Sequence, residues 1–356
     1  MRLRDLHGAK VAIWGAGKDG VSALRCLQAL FPQKLLTILS DQQIPENRQR
    51  ELEQLGPVVF LSGDSIKEAL CCHDVIIKSP GISIYKEEIS FAQKQGTLFT
   101  STANLFFSEI KDSVVIAVTG TKGKSTTASI IHHCLLNIGI SAEICGNIGK
   151  PFLDFLDRID QTEIWVAELS SYQTADLAPF AKIAVLTNLF PEHLDWHGTL
   201  DNYFRDKLHM FTPQEDKTTI LNFCDQQTRR LSADWPNVTY FESPATIHVQ
   251  NDGIYRGNDK LGPLPAGNLQ GHHNHINLCA ALTALEAAGF DARTCMKNLQ
   301  DFKGLPHRQM VIGSKDGLTF VDDSISTTPE TAMVAIERFS GPPLTILLGG
   351  FDRQQD

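Results

Sequence analysis

The chain has 356 residues, 32 Lys and Arg against 41 Asp and Glu for a net charge of −9, and 42% hydrophobic residues. That composition excludes a disordered chain, a collagen and a coiled coil, and leaves apolar mass for about two to three domains. The acidic balance argues against a long nucleic acid held by bulk charge, while a local site can still take a small anion.

The basic start Met1 to Asp5 is followed by no apolar run, so no signal peptide is expected. No stretch reaches the ~18 apolar residues of a membrane span. Eight cysteines without a C-x-x-C pair predict reduced, mostly buried thiols and a cytoplasmic setting.

Residues 10–14 read as a short buried strand. The loop Gly15-Ala16-Gly17-Lys18-Asp19-Gly20 leads from it into helical periodicity over 21–30. Apolar runs at 35–39, 58–61 and 75–77 continue the series, the last breaking at the turn Lys78-Ser79-Pro80-Gly81. Strands alternating with helical segments predict an α/β unit with a doubly wound parallel sheet over 1–101. A second unit, 102–304, opens with a β-branched strand at 114–118, a glycine loop and a helix through 136. Strands at 164–169, 183–187 and 219–222 follow. Segments punctuated by Asn, Gly and Pro over 236–270 suggest a small β insertion, and Ala- and Leu-rich 274–288 predicts a helix capped by Gly289. A third unit, 305–356, begins after Gly304-Leu305-Pro306-His307-Arg308, with strands at 318–321 and 344–348 flanking a helix at 330–339.

The loop Gly120-Thr121-Lys122-Gly123-Lys124-Ser125-Thr126 lies between a strand and a helix, the arrangement of a phosphate site. Its glycines let backbone N–H groups curl around a polyphosphate at a helix N-terminus. Lys124 supplies charge to the terminal phosphates and the Ser125 hydroxyl suits Mg²⁺. The longer eight-residue form needs glycine where Val118 stands, so the form present is the shorter G-x-x-G-K-S. The first loop, Gly15-x-Gly17-x-x-Gly20 with Asp41 downstream, is also a dinucleotide fingerprint. On the residues alone, Glu168 is either a metal ligand or an exposed strand-end glutamate, and Lys207 is a lysine on an amphipathic helix. His193 and His197 stand four apart but lack the H-E-x-x-H order of a zinc helix.

Seven further stretches occur in order. They are Ser79-Pro80-Gly81-Ile82, Gly146-Asn147-Ile148-Gly149, Glu168 to Gln173, Asn188 to Asp195, Tyr203-x-x-x-Lys207, His273-Asn274-x-x-Asn277 and Gly304 to Arg308. With the loop at 120–125 they resemble the Mur ligases of peptidoglycan synthesis, and among them the enzymes that add glutamate to UDP-N-acetylmuramoyl-L-alanine. The resemblance implies a Rossmann-like UDP-substrate domain at 1–101, a central P-loop ATPase domain at 102–304 and the start of a glutamate-binding Rossmann-like domain at 305–356. It implies that Gly15, Gly17, Lys18, Asp41, Ser79, Pro80, Gly81, Asn147 and Ser170 meet the UDP substrate. ATP would be held by residues 120–126 with Asn274, Arg308 and Asp323. Lys124, Glu168, His193 and Lys207 would be catalytic, and Ser125, Glu168, His193 and a Lys207 carbamylated by CO₂ would serve Mg²⁺. The reaction implied is amide synthesis through an acyl phosphate.

The D-glutamate enzymes carry N-D-S-K-A-T-N at the start of the third domain. This chain has Asp322-Asp323-Ser324-Ile325-Ser326-Thr327-Thr328-Pro329-Glu330, and Arg353 where a second family lysine stands. Losing one cation and reshaping another favours the branch that adds L-glutamate, whose product a separate epimerase then corrects, over D-glutamate. Thr327 and Arg353 are the expected glutamate contacts. The family's third domain is longer than the stretch after Gly304, so a truncated third domain is expected. A monomer without nucleic-acid or membrane partners is also expected. Competing readings are a folylpolyglutamate synthetase, which lacks the UDP-type first domain, an NAD-dependent oxidoreductase, and a non-catalytic nucleotide-binding module.

Overall fold

The computed structural model describes residues 1–110, 113–178, 180–211, 216–326 and 329–349. Strands β1 (Val11–Trp14), β2 (Leu36–Ser40), β3 (Val58–Ser62), β4 (Val75–Lys78) and β5 (Leu98–Thr100) form a sheet in the order β3-β2-β1-β4-β5. All its pairings are parallel. Helices cover it, so β1 and β4 are buried along their whole length; β1 reads as an unbroken apolar run, and β4 is apolar up to the buried Lys78 that ends it.

The second sheet contains β6 (Val114–Thr119), β7 (Ala142–Gly146), β8 (Ile164–Glu168), β9 (Ile183–Leu186), β10 (Thr218–Asn222) and β11 (Val238–Phe241). Its order is β11-β10-β9-β6-β8-β7, again all parallel. In both sheets the chain reverses winding direction beside one strand. In the first, β1 lies between β2 and β4; in the second, β6 lies between β9 and β8. The carboxyl ends of β1 and β6 therefore open onto the crevices where ligands bind α/β sheets.

Helix Thr102–Glu109 joins the two sheets. The Ser101 hydroxyl caps it by accepting the Asn104 N–H at 3.2 Å. Phe106 meets Trp165 edge-on with ring centroids 5.0 Å apart. One apolar core consequently runs from the first sheet to one face of the second. The other face packs under helices Lys124–Asn137 and His272–Ala287. The insertion expected over 236–270 is shorter than that, because Val238–Phe241 joins the main sheet as β11; what remains is an antiparallel sheet of β12 (Ile247–Gln250), β13 (Gly253–Arg256) and β14 (Asp259–Gly262). The eight cysteines are free, five of them buried, while Cys71, Cys72 and Cys224 reach solvent.

After Gly304, β15 (Met310–Lys315) and β16 (Leu318–Asp322) form an antiparallel hairpin, followed by helix Pro329–Arg338. The expected strand at 344–348 is not one: no described strand pairs with it, and an extended run without a ladder partner is not a strand. β15 was not foreseen, because its exposed Met310, Val311 and Ile312 show no alternation. Thr327 and Arg353, the expected glutamate contacts, lie outside the described residues.

Candidate active site

The first crevice is built by the loops after β1 and β4. Gly15 has φ +110°, and a Cβ there would collide with the Ser79 side chain, so the two loops touch backbone to side chain. The Ser79 N–H donates to the Trp14 carbonyl at 2.9 Å. Gly17 precedes helix Lys18–Leu30 and places Lys18 at its first turn. Asp41 follows β2, and its carboxylate accepts from Trp14 Nε1 and from Lys86 Nζ, both at 3.1 Å. Beside the glycine loop lies an open cleft of about 300 Å³ lined by Gly17, Lys18, Arg25, Arg48 and Asp154. Arg25 pairs with Asp154 at 3.1 Å.

The second crevice is built around β6. Gly123 caps helix Lys124–Asn137 with φ +83°, and a Cβ there would strike the Asn277 amide. That left-handed turn costs an L-residue roughly 1–2 kcal/mol. The loop is held from β9. Thr121 N–H donates to the Asn188 carbonyl at 3.0 Å, and Lys122 N–H donates to Asn188 Oδ1 at 2.8 Å. Asn188 Nδ2 returns a bond to the Lys122 carbonyl at 3.0 Å. The Thr121 hydroxyl and Tyr203 phenol are 2.8 Å apart.

Four groups with a shared electrostatic history meet here. Lys124 Nζ donates to the Thr121 carbonyl at 3.0 Å. Desolvation pushes its pKa down, against the pull of Glu168. Lys207 is buried, and its Nζ donates to the Gly120 carbonyl at 2.9 Å. Burial, and then the neighbouring Lys124 charge, hold Lys207 well below the usual lysine range. That favours the neutral amine, the form that can attack CO₂. On its amphipathic helix, Leu200–Leu208, this lysine lies on the buried face.

Glu168 ends β8 and is fully buried, which corrects the exposed strand-end reading. Its Oε1 accepts from Asn147 Nδ2 at 2.9 Å, and its carbonyl accepts the Asn147 N–H at 2.8 Å. Its Oε2 is buried without a hydrogen-bond partner among the described residues. A buried carboxylate oxygen left unpaired is costly, and a hard cation would relieve it. His193 has φ +57° and its Nε2 lies 3.5 Å from Glu192 Oε2. Partial burial pushes its pKa down against Glu192, with Lys207 and Lys124 adding to the depression, so the ring's lone pair stays available. Glu192 is itself paired with Lys122 at 2.8 Å. Among the described residues no three His, Cys, Asp or Glu side chains cluster as a closed metal cage. The donor set fits Mg²⁺ nonetheless, since that ion keeps waters and phosphate oxygens beside one or two carboxylates.

The remaining expected residues divide. Ser170 caps a short helix, accepting Gln173 N–H at 3.3 Å and donating to Gln173 Oε1 at 3.0 Å. Asn274 is buried and donates to the Gln270 carbonyl at 3.1 Å, while its motif partner Asn277 faces the phosphate loop. Arg308 lies near enough to Lys124 and His273 for its charge to add a minor downward push to their pKa values, behind the desolvation that leads in both. Asp323 accepts from Gln309 N–H at 3.0 Å and from the Ser326 hydroxyl at 2.8 Å, both within its own unit. His197 is no zinc ligand: it is buried between Asp206 at 2.7 Å and Ser171 at 3.0 Å.

Asn188, Glu192, Tyr203 and Asn277 were not singled out as site residues, although each lies within a quoted motif. Arg25 and Arg48 carry no sequence signal, being isolated cations on helices.

The family model for the Mur ligase middle domain matches residues 118–285, and that for the Mur ligase MurD-like N-terminal domain matches 9–100. UDP-N-acetylmuramoyl-L-alanine–L-glutamate ligase of Xanthomonas axonopodis pv. citri (strain 306) is 38% identical over 365 residues, covering 100% of this chain and 77% of that protein. The protein of that name from Xanthomonas oryzae pv. oryzae (strain MAFF 311018) is 40% identical with the same coverage. Among solved structures, UDP-N-acetylmuramate-alanine ligase MurC from Thermotoga maritima superposes with TM-score 0.59 at 18% identity, over 94% of this chain and 79% of that one. MurF ligase from Thermotoga maritima in complex with ADP gives 0.54 at 18% identity, over 96% and 74%. These two likenesses establish the shared fold. The phosphate loop at the second crevice, the two domain matches and the two close relatives agree: this chain belongs to the Mur ligase family.

Proposed function

We propose that this chain is an ATP-dependent amide ligase that joins L-glutamate to UDP-N-acetylmuramoyl-L-alanine, releasing ADP and phosphate. The observation that carries the reading is the second crevice, where Lys124, Lys207 and the unpaired oxygen of Glu168 converge on a phosphate loop. The relatives' names supply the substrates. Residues 1–101 bind the UDP substrate, 102–304 bind ATP, and 305–356 begin the glutamate-binding domain.

Amide formation from a carboxylate needs activation. The γ-phosphoryl group of ATP passes to the alanine carboxylate, giving an acyl phosphate. The glutamate amine attacks that carbonyl, and the tetrahedral intermediate expels phosphate. The task of the protein is alignment and charge neutralisation. Lys124 and the amides of 120–126 face the phosphates, and Arg308 adds a forked cation from the third unit. Asn147 holds Glu168 in place and presents the substrate end. In the first crevice Lys18, Gly15, Gly17 and the Ser79–Gly81 turn face the UDP diphosphate, and Asp41 the uracil. Mg²⁺, when bound, neutralises phosphate charge; Ser125, Glu168, His193 and a carbamylated Lys207 would hold or orient it. Thr327 and Arg353 are assigned to glutamate. The chain works as a cytoplasmic monomer, and an epimerase acts on its product.

The test is phosphate release from UDP-N-acetylmuramoyl-L-alanine, ATP and Mg²⁺ with each glutamate enantiomer. Release with L-glutamate is expected. A strong preference for D-glutamate overturns the branch, and binding of both nucleotides with no release in either case indicates a non-catalytic module.

A further inference from the structure

The two crevices are joined by a run of side chains that the reaction itself does not use. The turn Ser79–Gly81, which touches Gly15, continues into Ser83 and Tyr85. The Ser83 hydroxyl donates to the Trp196 carbonyl at 2.7 Å. The Tyr85 hydroxyl donates to Asp206, 2.7 Å from Oδ1 and 2.9 Å from Oδ2, and receives a bond from Arg205 at 2.9 Å. Asp206 is buried, and its Oδ2 also accepts from His197 Nδ1 at 2.7 Å. His197 Nε2 in turn meets the Ser171 hydroxyl at 3.0 Å, three residues beyond Glu168. One carboxylate thus gathers the loop after β4, the segment after His193 and the turn after Glu168. The next residue along the same helix is Lys207, bonded to Gly120 of the phosphate loop.

We propose that Tyr85 is a positioning residue that, through Asp206, couples occupancy of the first crevice to the phosphate loop of the second. The inference rests on the functional reading above for what fills each crevice. The physical reason lies in stiffness. Hydrogen bonds to a carboxylate are short and weaken steeply with displacement and angle. Asp206 and Lys207 share one helix, so a movement of Tyr85 carries Lys207 against the Gly120 carbonyl. The Lys78–Asp176 pair at 3.3 Å anchors the base of the loop and the Ser83 hydroxyl anchors its middle, so the Tyr85 hydroxyl is the loop's direct contact with Asp206.

The experiment measures affinity for a non-hydrolysable ATP analogue with Mg²⁺, without and with saturating UDP-N-acetylmuramoyl-L-alanine. For the unaltered chain the two affinities should differ by about five-fold or more. Tyr85→Phe keeps the ring against Trp196 and removes only the hydroxyl. It should bring the ratio close to one and leave affinity for the analogue alone unchanged. A bond with a purely structural role would lower thermal stability and leave the ratio intact, which overturns the proposal. Independent binding of the two ligands by the unaltered chain also overturns it while the function stands. A chain that binds neither ligand overturns the function, and the relay with it.

Discussion

Lys207 Nζ donates to the carbonyl oxygen of Gly120 at 2.9 Å, tying helix Leu200–Leu208 to the first glycine of the phosphate loop. A lysine buried this way, beside Lys124, carries its charge at a cost. Carbamylation of the neutral amine would place an anion facing Lys124. Lys207→Ala should lower phosphate release on the order of a hundred-fold, the scale of losing one electrostatic stabiliser. A short-chain carboxylic acid should restore part of it in the initial-rate assay; an unchanged rate with added acetate or propionate counts against the carbamate.

The unpaired Oε2 of Glu168 makes a second, separate prediction. Glu168→Gln preserves an oxygen for Asn147 and removes the charge. Calorimetry should show Mg²⁺ tightening nucleotide binding by the unaltered chain, with chelation by EDTA reversing it. In the variant the Mg²⁺ affinity should fall by about ten-fold or more. Equal Mg²⁺ dependence in both proteins would remove Glu168 from the metal site.

Gly123→Ala tests the turn itself. The substitution places a Cβ at φ +83° and against the Asn277 amide. Denaturant unfolding should show a loss of about 1–2 kcal/mol, and ATP binding should weaken in step. An alanine variant with unaltered stability would mean that the loop does not need the left-handed turn.

Lys78 and Asp176 join the first sheet to the second, with side-chain exposures of 2% and 25%. Lys78→Met strands the Asp176 carboxylate, one oxygen of which already lacks a hydrogen-bond partner among the described residues. The cost should be about 3 kcal/mol in chemical denaturation, and Lys78→Met with Asp176→Leu should recover most of it. If the double variant is no more stable than the single one, the penalty does not come from the stranded charge.

Much of the parallel framework was legible because strands covered on both faces are largely apolar. Val11–Trp14, Val75–Lys78 and Val114–Thr119 announce themselves in that way. Leu98–Thr100 and Ala142–Gly146 did not: each lies at a sheet edge, where polar residues such as Thr100 and Glu143 are tolerated. The apolar run 344–348 misled in the opposite sense, since hydrophobicity alone does not supply a pairing partner.

For the site, the order of residues determined which chemistry the chain could attempt. A glycine turn, a lysine and a hydroxyl following a buried strand specify a phosphate site locally, because backbone geometry and helix polarity act over a few neighbours. Order could not decide that Lys207 is buried against Gly120, that Glu168 keeps one oxygen free, or that Tyr85 bonds Asp206. Those facts join segments far apart in the chain. Burial and the charges that face a group exist only once the sheets have packed, so tertiary structure alone decided which of these side chains are perturbed.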